Sequence, residues 1–317
     1  MTLVRLVTMK IAVVGAGAMG SLFGGLLAAS GEDVTLVDVW REHVDAINAE
    51  GLRIGGSEGS RIIRVKATTD PSSVGPVDLI IIFVKSYDTL KATRDALPMV
   101  KEDTVFLSFQ NGLGNIEKIS EAAGSDRIIP GTTAHGCTLM GPGEVVHAGS
   151  GTTIIGELDG RKTERARDIR DALTRAGIET VISGNIRGAL WSKVLVNVGI
   201  NPLTALKGIR NGELLDDPEI KETMRKAVEE AINVAEALGI DLSPGDQLEH
   251  VYDVARATAT NRSSMLQDVE RGRRTEIDAL NGAIVKLAKS LGLKVPVNET
   301  LTAAIRNLET EGSRRES

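Results

Sequence analysis

At 317 residues the chain is longer than one typical domain, which calls for two. Its 42% hydrophobic and 25% charged residues are ordinary for a globular enzyme, and a formal net charge of -6 leaves no basic footprint for nucleic acid or an anionic membrane. The single cysteine, Cys137, excludes an internal disulfide and a thiol-based metal site; it suits a reducing cytoplasm and reads as a small buried hydrophobe.

No apolar run is long enough to span a bilayer, and the first one, Ile11 to Val14, passes straight into glycines, so neither a membrane span nor a secretory signal is expected. Met1 to Thr8 read as an extension ahead of the first strand. In chain order, Lys10 to Val14 reads as a strand, Ala18 to Ser30 as a helix, Asp33 to Asp38 as a strand and Glu42 to Glu50 as a helix. Ile62 to Ala67, Asp78 to Val84 and Thr104 to Ser108 follow as strands. The near-continuous apolar runs among them are what strands buried on both faces require. Ile128 to Thr138, Glu144 to Ala148 and Thr152 to Gly156 read as further strands, with antiparallel ones expected at the sheet edge.

The pattern changes after Gly184. From Ile186 onward Leu, Ala, Glu and Lys recur at helical spacing, and Pro218 to Leu238 and Glu276 to Leu291 read as long amphipathic helices. Glu311 to Ser317 is polar and reads as a frayed end. The expected fold is α/β: a Rossmann-type, doubly wound sheet over residues 1–184 and an all-helical domain over 185–317. With a boundary near residues 183–187, the active site is expected in the cleft between the two domains.

Gly15-Ala16-Gly17-Ala18-Met19-Gly20 follows a strand and opens a helix, which is the context that gives a glycine pattern meaning. Gly15 permits the tight turn, Gly17 lets a pyrophosphate approach the backbone, and Gly20 allows close helix–strand packing. Asp38, at the end of the second strand, stands where an acidic residue accepts from the adenosine ribose hydroxyls. These residues imply a dinucleotide cofactor.

In the second half, Lys193, Asn197 and Asn201 follow one another at one-turn spacing on a mostly apolar helix. A lysine there is either a snorkelling surface residue or a buried amine with a task, and spacing alone leaves both open. A second polar cluster runs from Asn261 through Ser264 and Asp268 to Glu276. By itself it is an ordinary solvated stretch. The histidines, at 43, 135, 147 and 250, show no metal-ligand spacing; His43 reads as a helix residue near the adenosine end and the others as structural.

With these residues in view, the chain resembles the ketopantoate reductase (2-dehydropantoate 2-reductase) family over nearly its whole length. The matching pieces occur in family order: the Gly15 to Gly20 loop, Val84-Lys85, Gln110 to Asn115, Trp191 to Leu203, and Asn261 through Glu276. The resemblance implies reduction of the ketone of ketopantoate by a nicotinamide cofactor, a step toward pantothenate and coenzyme A. It makes Lys193 the general acid, Glu276 the partner of the substrate hydroxyl, and Ser264 a holder of its carboxylate. It also brings Lys85, Asn111, Asn197, Asn201, Asn261 and Asp268 to the same cleft, with Lys85 and Asn111 toward the cofactor.

A small 2-oxo acid is thus the expected partner, and a homodimer in the cytoplasm the expected state. Where NADPH-using members carry an arginine after the second strand, this chain has Asp38, which favours NADH and repels a 2′-phosphate; Arg41 leaves NADPH open. A β-hydroxyacid dehydrogenase shares the lysine and asparagine, yet its glycine-rich substrate signature is missing here. A non-catalytic dinucleotide sensor needs no Lys193, Asn197 and Glu276.

Overall fold

A computed structural model describes residues 8–57, 59–242 and 244–315; most of the segment read as an N-terminal extension lies outside them. The chain forms two compact units. Unit 1 takes the chain up to Gln110 together with Asn115–Ile186, and unit 2 takes Asn111–Gly114 together with the chain from Arg187. The Asn111–Gly114 turn thus groups with unit 2 although its neighbours in sequence belong to unit 1.

Unit 1 runs β1 (Lys10–Val14), α1 (Ala18–Ala29), β2 (Asp33–Val37), α2 (Arg41–Glu50), β3 (Leu52–Gly56), β4 (Gly59–Ile63), β5 (Lys66–Thr68), β6 (Leu79–Ile82), α3 (Thr89–Ala96), β7 (Val105–Ser108) and α4 (Asn115–Ala123). It continues with β8 (Ile128–Thr133), β9 (Gly136–Gly141), β10 (Glu144–Gly149), β11 (Thr153–Ile155), α5 (Glu164–Arg175) and β12 (Thr180–Ile182). The main sheet has the order β12-β11-β8-β7-β6-β1-β2-β5. From β5 to β8 all pairings are parallel; β11 is antiparallel to β8, with β12 outside it. The chain winds outward from β1 in both directions, so the strand order reverses between β1 and β6, where such sheets bind ligands.

The central strands are buried along their length, β6 at every position, because Val/Ile runs put apolar side chains on both faces. A second sheet, β4-β3-β10-β9, covers α1. That helix fits between the sheets because it is built from small residues. A Cβ on Gly24 would lie 2.3 Å from Leu36 of the main sheet, and one on Gly25 would lie 2.7 Å from Ile54 of the second.

Two expected strands prove to be pairs of strands. Ile62 to Ala67 splits between β4 and β5, and Ile128 to Thr138 between β8 and β9, each half going to a different sheet. Recurring β-branched residues carry the period of a strand but not which sheet it serves. Ile63 packs in the core with Ile54, whereas Ala67 pairs with Leu36 and is held by the amide of Asn48.

Unit 2 holds α6 (Ile186–Lys207), α7 (Pro218–Ala237), α8 (Gln247–Ala257), α9 (Ser264–Glu270), α10 (Asn281–Leu291) and α11 (Pro296–Arg315). Side-chain caps set three of the starts: Asp217 with Pro218 behind it, Asp246, and Ser263. The core forms around α7, whose Ala227, Val228, Ala231 and Val234 are fully buried with Leu195, Val198, Val251 and Ile284.

The helix expected from Glu276 starts only at Asn281. Ile277–Ala279 form a 3-10 turn, and Leu280, with φ -104° and ψ -104°, breaks the path between the two. Within the stretch from Glu311 to Ser317 that reads as a frayed end, α11 continues through Arg315, and residues 316–317 lie outside the described residues. Among the described residues no helix is long and apolar enough to cross a membrane.

Candidate active site

The loop between β1 and α1 is shaped by missing side chains. Gly15 has φ +92°, and its Cβ would stand 2.6 Å from the Val84 nitrogen. A Cβ on Gly20 would lie 2.0 Å from the Gly15 carbonyl oxygen, so Met19-Gly20 starts the helix hard against the loop. Nothing lies within 4 Å of where a Gly17 Cβ would stand, and no side chain caps α1 at Gly17. Ala16 is buried and Ala18 opens the helix. Open space before a helix N-terminus fits a pyrophosphate, so the residues present suit a dinucleotide.

A buried chain of hydrogen bonds holds this loop from behind. The Gly143 N–H donates to His43 Nδ1 at 2.9 Å, which leaves the proton on Nε2 to donate to Ser21 Oγ at 3.1 Å. The Ser21 hydroxyl donates to the Ala16 carbonyl at 2.7 Å. Burial pushes the His43 pKa down against the opposing pull of Asp38, the direction that suits a ring whose Nδ1 accepts a hydrogen bond. The turn between β9 and β10 is thereby linked to the glycine loop.

Asp38 follows β2, and its carboxylate accepts the Trp40 N–H at 2.9 Å. The Trp40 ring stacks on His43 at 5.3 Å. Arg41 is exposed at the start of α2. After β6, the loop carrying the partly buried Lys85 is held by Gln110, whose amide donates to the Val84 carbonyl and the Thr89 hydroxyl, both at 2.7 Å. Thr89 in turn donates to the buried Asn115 at 2.9 Å. Gln110 and Asn115, the flanks of the Gln110 to Asn115 motif, are therefore clamps of unit 1.

Between those clamps, the Asn111 turn docks within unit 2. The Leu113 N–H donates to the Ala279 carbonyl at 2.8 Å, and Gly112, with φ +81°, lies so close that a Cβ would come within 2.4 Å of the same oxygen. Ala279 ends the 3-10 turn that follows Glu276. Asn111, next to this contact, is partly buried, and Glu276, three residues before Ala279, is buried.

On α6, Lys193 and Asn197 are partly buried and Asn201 is buried. Burial pushes the Lys193 pKa down to about 8, and the Glu276 carboxylate acts in the opposite sense. The lysine left open by its spacing is therefore a desolvated amine near a buried acid. Asp268 is buried on α9, whereas Asn261 and Ser264 are exposed. The neighbouring Ser263, not singled out in the sequence, caps α9 and bonds Thr204 of α6 at 2.7 Å. That contact fixes the strip from Asn261 to Asp268 against the lysine helix.

His135 and His147 bond each other at 3.0 Å, and burial raises the Cys137 pKa to about 12, which keeps it an unreactive thiol. Among the described residues no group of three His, Cys, Asp or Glu could hold a metal ion.

The model of ketopantoate reductase PanE/ApbA matches residues 11–160, and that of its C-terminal part matches residues 185–309. The 2-dehydropantoate 2-reductase of Halobacterium salinarum is 40% identical over 96% of this chain and all of its own. That of Pyrococcus horikoshii is 42% identical over 96% of this chain and 99% of its own. A PanE/ApbA family ketopantoate reductase structure from Ralstonia eutropha covers 96% of this chain and all of its own with a TM-score of 0.89 at 34% identity. D-mandelate dehydrogenase in ternary complex with NADH and anilino(oxo)acetate superimposes with a TM-score of 0.91 at 32% identity, over 96% of this chain and all of its own. With both of its halves matched and its relatives aligned end to end, this chain belongs to the ketopantoate reductase family.

Proposed function

We propose that the protein is a 2-dehydropantoate 2-reductase, converting the ketone of ketopantoate to the alcohol of pantoate, with Lys193 as the general acid. The observation that carries the reading is the Lys193 amine, pushed down to about 8 by burial and opposed by Glu276. At neutral pH it still holds its proton, and it releases that proton more readily than an exposed lysine does.

A reduced nicotinamide, when bound, supplies the hydride. The protein's part is then to bind and to move one proton. Lys193 faces the charge that grows on the ketone oxygen and transfers its proton there. Asn197 orients the amine and Asn201 lines the same helix. Glu276 accepts from the substrate hydroxyl, while Ser264, with Asn261 and Asp268 nearby on its strip, orients the carboxylate. Gly15 to Gly20 hold the pyrophosphate, and Lys85 and Asn111 attend the cofactor's reactive end.

The donor we assign is NADH. The Trp40 N–H fixes the Asp38 carboxylate at the end of β2, where it accepts from a ribose and repels a phosphate. The NADH complex of the mandelate enzyme supports a second reading, reduction of a different 2-oxo acid by the same machinery. A homodimer in the cytoplasm completes the proposal. Steady-state turnover of ketopantoate and of the 2-oxo acid of mandelate, each with NADH and NADPH, tests both readings. Ketopantoate with NADH should give the highest kcat/KM. Faster turnover of the aromatic acid would favour the second reading, and no turnover of either would refute both.

A further inference from the structure

α6 carries a proline in its interior, Pro202, directly after Asn201. Proline has no N–H, so the carbonyl one turn earlier, that of Val198, loses its helical partner. Val198 is fully buried, so bulk water does not reach its carbonyl. The missing donor comes from another helix: Asn281 Nδ2 reaches the Val198 oxygen at 3.2 Å.

Asn281 is the first residue of α10, yet its side chain does not cap that helix. Its second amide hydrogen goes to Asn298 Oδ1 at 2.9 Å; Asn298 donates to the Ala227 carbonyl of α7 at 2.9 Å and to Glu230 at 2.8 Å. Glu230 also accepts the N–H groups of Val297 and Asn298 at 2.9 Å, closing the start of α11. Asn281 and Asn298 are both fully buried. The Asn281 amide is turned so that both donors are used while its Oδ1 has no partner among the described residues.

The two ends of this bond matter because of what they adjoin. Val198 follows Asn197 on the helix of Lys193, and Asn281 follows the buried turn that begins at Glu276. We propose that Asn281 is a positioning residue, which fills the gap opened by Pro202 and so ties the Lys193 helix to the segment bearing Glu276. The proline makes the carbonyl available, and the asparagine turns that gap into an inter-helix link. Its catalytic meaning rests on the reductase reading, whereas the link itself does not.

The test uses Asn281→Ala and the double variant P202A/N281A, in which the backbone N–H restored at position 202 gives the Val198 carbonyl a partner within α6. The titration of Lys193 is followed by acetylation with acetic anhydride as a function of pH, read on the Lys193 peptide by mass spectrometry, beside Tm and kcat. In Asn281→Ala, Tm should fall, and the Lys193 midpoint should drop by about half a unit or more as the charge of Glu276 is held less closely. In the double variant Tm should recover only in part, because the Val198 carbonyl is satisfied while Asn298 Oδ1 still lacks its Asn281 donor, and the midpoint should stay low because the link is still absent. Should Asn281→Ala not fold, the double variant against P202A alone gives the same comparison. A midpoint unchanged by loss of Asn281, or one that recovers together with Tm, would reduce Asn281 to a structural role. Absence of turnover in the unaltered protein would count against the reductase reading and leave this titration intact.

Discussion

The glycine loop of unit 1 and the Lys193–Glu276 pair of unit 2 are built in opposite ways. The loop works through backbone and through side chains that are absent; a single methyl on Gly20 has nowhere to go, because the atom it meets is a carbonyl in the same loop. The pair, on the proposed reading, works through two charged side chains shielded from water, one on a long helix and one ahead of a 3-10 turn. Adding atoms should therefore disable the first region and removing them the second. Binding of the dinucleotide and transfer of the proton then become separable properties of one chain.

The largest effect expected tests that separation from the side of unit 2. Lys193→Ala should lower kcat by about a hundredfold or more while dinucleotide binding, read by fluorescence titration, stays near that of the parent. A matching loss of binding would mean that the two regions are not separable. The converse change is Gly20→Ala, where an overpacking cost of roughly 1–3 kcal/mol falls on the loop. The dinucleotide should bind about tenfold more weakly, and the Lys193 titration should not move.

Two smaller changes sharpen the comparison within each region. Glu276→Ala should reduce kcat/KM for ketopantoate roughly tenfold more than for a 2-oxo acid without the distal hydroxyl, since only the former loses a partner. Equal losses on both would remove the substrate assignment but not the chemistry. Asp38→Ala should shift the NADH to NADPH preference by about fivefold toward NADPH, as a ribose acceptor and a repulsive charge disappear together. Preference for NADPH in the unaltered protein would put Arg41 in control.

The same contrast explains what is legible in the sequence. The glycine loop and Asp38 lie within one strand–turn–helix–strand unit, where each residue's task depends on near neighbours, so local pattern is enough. The alternating strands and the change to helices after Gly184 are legible for the same reason. Glu276 reads as helical because apolar spacing runs on across Leu280, and the Asn281-Gly282 pair beside the break lies inside that spacing and is outweighed by it. The break at Arg64-Val65 has no glycine or proline, and the one glycine at the break at Ala134-His135, Gly136, is itself the first residue of β9. For Lys193, spacing gives two readings of equal standing, and the acid that acts on it lies far along the chain; the family resemblance supplies that pairing. The links from Gly143 through His43 and Ser21 to Ala16, and from Asn281 to Val198, join residues whose spacing carries no signal.

If the partly buried amine of Lys193 gives the proton, the pH dependence of ketopantoate reduction must carry its titration. A general acid must be protonated, so kcat/KM should be level at neutral pH and fall as pH rises through about 8. Because Glu276 raises the amine's pKa, Glu276→Gln should move that fall to lower pH. An activity that stays level well above that pH, or a fall that Glu276→Gln leaves in place, would contradict the account.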